Sequence, residues 1–301
     1  MNLQGMRGKI VCLYGPTASN KSAIAIEIAN SIPAVIINAD STQLYKHVEI
    51  LTAQPENLNS GNVAHKLYRF IEIHNNLFSV KNWLEHACKA INIALDNEQT
   101  AIIVGGTGLY FFTLINGLTL IPEITRGVKS EVQCLGKKHG NFYDALSHYD
   151  RELARRLNKN DKVRIIRGLE VKISTGKSIL DWQRNTQPFF PDKLFKTIYM
   201  NLDRTVIYSN IEKRFSCMLK NGVIDEVKSV VRKYSINNLP KIIGLSTINN
   251  YLRNHCSYSE MISETQQLSR NYAKRQCTWF NNKFQHHHVI NSLQKKLLTS
   301  S

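Results

Sequence analysis

The chain has 301 residues, 43% of them hydrophobic, with a formal net charge of +16 and a pI near 9.6. That length and apolar content exclude global disorder and allow one large or two modest domains. Such a charge points to a polyanionic partner, most simply nucleic acid, although a Lys-, Asn- and Ile-rich composition would also inflate it.

Taken in order, Met1 to Ile10 holds no signal-peptide apolar core. Ile10 to Tyr14 reads as a buried strand that runs into Gly15-Pro16-Thr17-Ala18-Ser19-Asn20-Lys21-Ser22 and then a helix-like run from Ala23 to Ala29. Strand, loop and helix in that order form a phosphate cradle: backbone N–H groups and a helix N-terminus converge, Lys21 adds positive charge, and the Ser22 hydroxyl can reach Mg²⁺. The motif G-x-x-x-x-G-K-[ST] is met except at Asn20, where the second glycine belongs. Asn is the residue most willing after Gly to adopt positive φ, at a cost of about 1 kcal/mol. The bland alternative is an ordinary strand–turn–helix corner with a solvated Lys.

Ala34 to Ala39 is a second buried strand ending in Asp40-Ser41. Asp40 there suits a general base or an outer Mg²⁺ partner, with a helix N-cap as the structural alternative. Lys81 to Asp96 has helical spacing, and Thr100 to Val104 is a third strand breaking at Gly105-Gly106-Thr107-Gly108. Glycines at that exit let backbone approach a ligand, and Thr107 offers a hydroxyl at the same rim. Three such strands with crossover helices predict a doubly wound α/β core, with ligands at the carboxyl ends of the strands.

From about Pro122 to Trp182 the chain turns polar, helical and basic, which predicts a helical insertion. Thr175-Gly176-Lys177-Ser178 mimics a phosphate loop but lacks the first glycine and a preceding strand; a helix closing on Gly176 explains it better. Residues 188–202 read as a connection returning to a core strand, followed by helices near 205–234 and 258–283. Residues 270–280 mix bases with aromatics on a helical period, suited to phosphate contact and base stacking, or to inward packing of the aromatics. The expected division is 1–121 with 195–285 as core, 122–194 as insertion, and 286–301 as a frayed tail whose His286-His287-His288 is not a metal site. Six cysteines at 12, 88, 134, 217, 256 and 277 show no C-x-x-C spacing, so a reducing, cytoplasmic setting is expected. No apolar run nears the ~18 residues of a membrane span, and no membrane partner is expected.

Together these motifs resemble the tRNA dimethylallyltransferases. The resemblance rests on Gly15 to Ser22, on Ala39-Asp40-Ser41-Thr42-Gln43-Leu44-Tyr45, on Gly105 to Tyr110, on Asn160-Asp161 through Arg164, Arg167 and Glu170, on Gly244 to Thr247, and on Ala273 to Asn281. It implies a P-loop NTPase-like fold whose loop Gly15–Ser22 holds the diphosphate of dimethylallyl diphosphate with Mg²⁺ rather than driving ATP hydrolysis. It implies Asp40 as the base for adenine N6, Thr107 beside the reacting groups, and transfer to the adenosine at position 37, 3′ of the anticodon. Residues Asp40, Ser41, Thr42, Gln43, Lys129, Val163, Arg164, Ile165, Ile166, Arg167, Lys274, Arg275, Gln276 and Trp279 would contact the tRNA, with the insertion clamping the anticodon stem-loop. A monomer is expected. The chain departs from the family pattern at Asn20, at Leu245-Ser246-Thr247 in place of Tyr-x-Glu, and at Asn281 in place of Arg. The rival readings are a nucleotide kinase or AMP prenyltransferase, for which the basic insertion is superfluous, and a non-catalytic RNA-binding relic.

Overall fold

A computed structural model describes residues 3–56, 58, 63–75 and 78–292. The chain divides into two compact units, residues 1–115 with 190–301, and residues 116–189.

The first unit is built on a parallel sheet. Its strands are β1 (Ile10–Tyr14), β2 (Ala34–Asn38), β3 (Ala64–Lys66), β4 (Thr100–Gly105), β5 (Phe195–Met200) and β6 (His288–Ile290). They lie in the order β3-β2-β4-β1-β5-β6, and every pairing is parallel. Strands β1, β2 and β4 are buried at every position, as their largely apolar sequences require when helices cover both faces. The helices of this unit begin with α1 (Lys21–Ser31), α2 (Val80–Asp96) and α3 (Gly108–Asn116). Ser79 starts α2 with a reciprocal capping box to Asn82. On α2, Trp83 is fully buried, donates from Nε1 to the Asn38 carbonyl at 2.9 Å and stacks on Tyr110 at 4.2 Å. The core over one face joins Val11, Leu13, Ile24, Ile28, Ile36, Ile102, Val104 and Ile198.

β1 leads to β2 on one side, and β4 returns beside β1 before the chain reaches β5 on the other side. The reversal falls between β1 and β4, where doubly wound sheets open a crevice at their carboxyl ends. Tyr14 pairs with Gly105 and with Tyr199 at that end, so the exits of three strands are level.

The second unit comprises α4 (Arg126–Lys138), α5 (Phe142–Tyr149), α6 (Arg151–Arg156), α7 (Lys162–Thr175) and α8 (Ile179–Arg184). Each starts on a side-chain cap, from Thr125, Asn141, Asp150, Asp161 and Ser178 respectively. Their core is Val132, Leu135, Ala145, Leu146, Leu153, Ile165 and Leu169. Gly168 permits the α6–α7 approach, since a Cβ there would lie 2.4 Å from Leu153 Cδ2. Gly176 ends α7 at φ 71°, the left-handed C-cap expected of the false phosphate loop.

The first unit resumes with β5 and continues through α9 (Arg204–Lys220), α10 (Val223–Lys233), α11 (Leu245–Leu252) and α12 (Tyr258–Lys283) before β6. Where one helix is expected near 205–234, Gly222 at φ 89° breaks it into α9 and α10. The tail is also corrected. Instead of fraying from residue 286, the chain adds β6 to the sheet edge, with the histidines as anchors. His286 Nδ1 meets the Tyr14 hydroxyl at 2.8 Å, and His287 Nδ1 accepts from Thr197 N–H at 3.0 Å. Residues 293–301 of the expected tail lie outside the described residues.

Candidate active site at the sheet's carboxyl end

The loop after β1 supplies the anion-binding corner. Gly15 is obligatory there, because a Cβ would sit 2.7 Å from Met200 Cβ and 2.8 Å from its carbonyl oxygen. Asn20 precedes α1 at φ 65° and makes no side-chain cap, so the missing glycine is replaced by the residue type that best tolerates the same left-handed backbone. The Lys21 ammonium folds over the loop, donating to the Pro16 carbonyl at 2.6 Å and to Ser19 Oγ at 3.3 Å. Burial pulls its pKa down to about 8, opposed by the Asp40 carboxylate and assisted by Arg214. Arg214, on α9, donates from Nη2 to Thr17 Oγ1 at 2.8 Å, and burial lowers its pKa against the pull of Asp40. Two cations and one carboxylate therefore share a poorly solvated corner.

A cavity of about 1010 Å³ opens at this corner. Of the loop, Thr17, Ala18, Asn20, Lys21 and Ser22 line it, whereas Gly15, Pro16 and Ser19 are buried behind the wall. Lys21, Lys213, Arg214, Lys241 and Arg275 bring five cationic groups to the lining, and among the described residues Asp40 is its only carboxylate. Leu51, Ile211, Phe215, Met218, Ile242 and Leu268 add an apolar wall. Such a cavity matches a ligand with an anionic end and a hydrocarbon end.

Asp40 leaves the tip of β2 in a turn that it caps itself. Its Oδ1 accepts from Thr42 N–H at 3.0 Å and from the Thr42 hydroxyl at 2.7 Å, and its own N–H donates to Asn38 Oδ1 at 2.9 Å. It starts no helix, so the N-cap alternative falls. Thr107 is not on the cavity wall. Its Oγ1 accepts from Ser41 N–H at 2.9 Å and its N–H donates to the Ala39 carbonyl at 3.2 Å, so it reaches the site by holding the turn that carries Asp40.

Of the glycines after β4, Gly105 lines the cavity, whereas Gly106 and Gly108 are packed against protein. A Cβ on Gly105 would lie 2.2 Å from the Ala39 carbonyl, one on Gly106 2.3 Å from Gln276 Nε2, and one on Gly108 2.1 Å from the Trp279 ring. Gln276 and Ile165 are corrected as surface contacts. Gln276 is 5% exposed, with its amide used between Thr17 and Gly106, and Ile165 is 1% exposed in the second unit's core. Ile166 packs half-buried against that same core. Gln43 lines the cavity but spends its amide on the Thr52 and Ala53 carbonyls at 2.9 and 3.0 Å.

Other residues expected to meet nucleic acid lie open. Lys274 and Arg275 are exposed on α12 and, with half-buried Trp279, line a groove of about 310 Å³. In the second unit Lys129 is exposed on α4, and Val163, Arg164 and Arg167 are exposed on α7. Arg164 and Arg167 pair with Asp161 and Glu170 at 2.9 and 3.5 Å, surface ion pairs that an anionic partner can displace at little cost.

Sequence reasoning missed Arg214, Lys213 and Lys241, which carry no local motif and reach the site only through the packing of α9 and the segment before α11. Glu226 on α10 was missed as well. Its carboxylate accepts from the N–H groups of Ile50 and Leu51, both at 2.8 Å, and so fixes the loop that supplies Leu51, Thr52 and Ala53 to the cavity.

The model of the family described as IPP transferase matches residues 43–283. The chain belongs to that family. It is 39% identical over 280 residues to a tRNA dimethylallyltransferase of Pelagibacter ubique, covering 91% of this chain and 88% of that protein. A tRNA dimethylallyltransferase of Wolbachia pipientis is 39% identical over 290 residues, covering 95% and 96%. The fold is that of the tRNA isopentenylpyrophosphate transferase of Bacillus halodurans, with a TM-score of 0.68 at 26% identity, covering 96% and 92% of the two chains. The IPP transferase fold therefore accounts for the P-loop-like parallel sheet with helices on both faces. No helix among the described residues is long and apolar enough to cross a membrane.

Proposed function

We propose that this IPP transferase moves a dimethylallyl group from dimethylallyl diphosphate to N6 of the adenosine 3′ of the anticodon, position 37, in tRNA. One observation carries the reading: Lys21, Arg214 and Asp40 open onto a single cavity to which Leu51, Ile211, Phe215, Met218, Ile242 and Leu268 add an apolar surface. The N6 lone pair attacks the allylic C1, the C1–O bond breaks, and diphosphate departs with the bond's electron pair. Asp40 takes the N6 proton as the new C–N bond forms. Exocyclic adenine nitrogen is a weak nucleophile, so the rate comes from alignment and from neutralising the leaving diphosphate. Lys21 and Arg214 do the second, and the turn Asp40–Thr42 held by Thr107 does the first. The apolar wall seats the prenyl chain and keeps water from the cation-like carbon.

Mg²⁺ fits this donor set. The Ser22 hydroxyl stands at the start of α1 on the cavity wall, oxygen donors suit the ion, and the diphosphate would complete them. Among the described residues no group of three His, Cys, Asp or Glu could hold a metal ion. Bound at Ser22, Mg²⁺ would neutralise charge on the leaving group.

The adenosine must leave its stack to reach Asp40. The exposed basic residues Lys274 and Arg275, and Lys129, Arg164 and Arg167 on the helical second unit, are proposed to grip the anticodon stem-loop in a monomeric, cytoplasmic enzyme. Incubation with dimethylallyl diphosphate, Mg²⁺ and an equimolar mixture of AMP and an anticodon stem-loop tests the reading. Prenyladenosine in the RNA is expected. Product confined to AMP would assign the chain to mononucleotide chemistry, and RNA binding without product would make it a relic.

A further inference from the structure

We infer that Gln276 is a positioning residue that fixes the spacing between the diphosphate cradle and the rim carrying Asp40; this deepens the function proposed above and rests on it. Gln276 projects from α12 and is 5% exposed. Its Oε1 accepts from the Thr17 N–H at 2.8 Å, and its Nε2 donates to the Gly106 carbonyl at 2.7 Å. A backbone N–H can only donate and a carbonyl can only accept, so the amide has one orientation and both its ends are committed. No other neutral side chain of this length offers one donor and one acceptor in a fixed planar unit.

The two loops it joins serve different substrates. Thr17 sits in the loop with Lys21, and its hydroxyl also receives Arg214. Gly106 sits between Gly105, packed on the backbone of Ala39 and Asp40, and Thr107, bonded to Ala39 and Ser41. A continuous hydrogen-bonded path therefore runs from the cradle through Gln276 to the turn of Asp40. Gly106 is part of the same device, because a Cβ there would lie 2.3 Å from Gln276 Nε2. Binding groups for diphosphate and for RNA lie elsewhere, so loss of the brace leaves both ligands bound but misaligned. An ångström of misalignment costs roughly a hundredfold in rate.

Two substitutions break the brace from opposite ends. Q276M keeps the volume and deletes both bonds, and G106A displaces the amide from the other loop. In the full chain each is expected to slow single-turnover transfer to the stem-loop by about tenfold or more, with KM for the prenyl diphosphate and Kd for RNA changed by less than about threefold. The double variant is expected to be no slower than the worse single one, because both remove the same link. Multiplying effects, or affinities that fall while the single-turnover rate holds, would overturn the brace. If Q276M fails to fold, G106A decides alone. Hydrogen exchange at the Thr17 amide separates this inference from the function it rests on: it should quicken by about tenfold or more in G106A, whose substitution lies on the other loop. Unchanged Thr17 protection overturns the brace even if the wild type is active. A wild type that transfers nothing overturns the function, while faster Thr17 exchange would still uphold the link.

Discussion

Lys21 is a cation of the cavity whose chemistry the fold alters. Its ammonium is poorly solvated and titrates near pH 8 instead of 10.5. Only the protonated form attracts the diphosphate, so kcat/KM for the prenyl diphosphate, which reports the free enzyme, should fall about tenfold per pH unit above roughly pH 8. A Lys21→Arg variant should carry this limb well upward, because guanidinium stays charged. A flat profile to pH 10 in the wild type would show that no group titrating near pH 8 governs capture of the anion. Asn20 makes a second residue-scale test. At φ 65°, N20A places a Cβ-bearing side chain with no local hydrogen-bonding option in the left-handed region, at a cost of about 1–2 kcal/mol, whereas N20G relieves that strain. Thermal denaturation should show a lower Tm for N20A and not for N20G. This position was legible in the sequence, because the motif fixes where positive φ is needed and Asn is a residue that accepts it. Gln276 was not legible. Helical periodicity puts Tyr272, Gln276 and Trp279 on one face, and such a face suits either base stacking or inward packing. In the fold Gln276 and Trp279 cover Gly106 and Gly108, a choice between inside and outside that periodicity alone does not make.

At the scale of elements, the sheet was legible where strands are long and apolar. Residues 10–14, 34–38 and 100–105 announce themselves by short, largely apolar runs, and their carboxyl ends located Lys21, Asp40 and Gly105. Strands β3 and β6, three residues each, carry no such signal. They exist because a neighbouring strand offers an edge, and Tyr14 and Thr197 offer partners to His286 and His287. Arg214 and Glu226 were hidden for a related reason: α9 and α10 look like ordinary amphipathic helices until packed. Glu226 shows what such packing contributes. Burial raises its pKa although two backbone N–H groups stabilise the carboxylate, so it is held at a cost by the loop it caps. E226A leaves the N–H groups of Ile50 and Leu51 without that partner and should destabilise the chain by about 1–3 kcal/mol. Urea titration would detect the shift, and limited proteolysis should move to residues 48–54. An unchanged midpoint would mean that water replaces the carboxylate without loss.

The whole molecule joins a parallel-sheet unit to a helical unit with its own core and its own caps. Within the helical unit the entry and exit of the chain are adjacent: a Cβ on Gly117 would lie 2.2 Å from the Gln187 carbonyl, and the hydroxyls of Thr119 and Thr186 meet at 2.7 Å. A short Gly-Ser link from residue 117 to 187 should therefore remove the helices without unfolding the sheet unit. The shortened chain is expected to bind Mg²⁺-diphosphate within about threefold of the wild type, because the cavity is lined wholly by the sheet unit. RNA binding should weaken by about tenfold or more, with a shallower salt dependence as phosphate contacts are lost. Isothermal titration and fluorescence anisotropy over a salt series read the two effects separately. Full RNA affinity in the shortened chain would remove the helical unit from tRNA recognition.

Transfer requires one carboxylate, Asp40, and one ammonium, Lys21, to serve a single reaction. Single-turnover transfer to an anticodon stem-loop, followed at saturating prenyl diphosphate for the wild type and D40A, tests this directly. The rate for D40A should fall by about a hundredfold or more with RNA affinity nearly intact, because a base acts in the transition state. Equal rates, or a deficit confined to RNA binding, would contradict the placement of Asp40 at the reacting nitrogen.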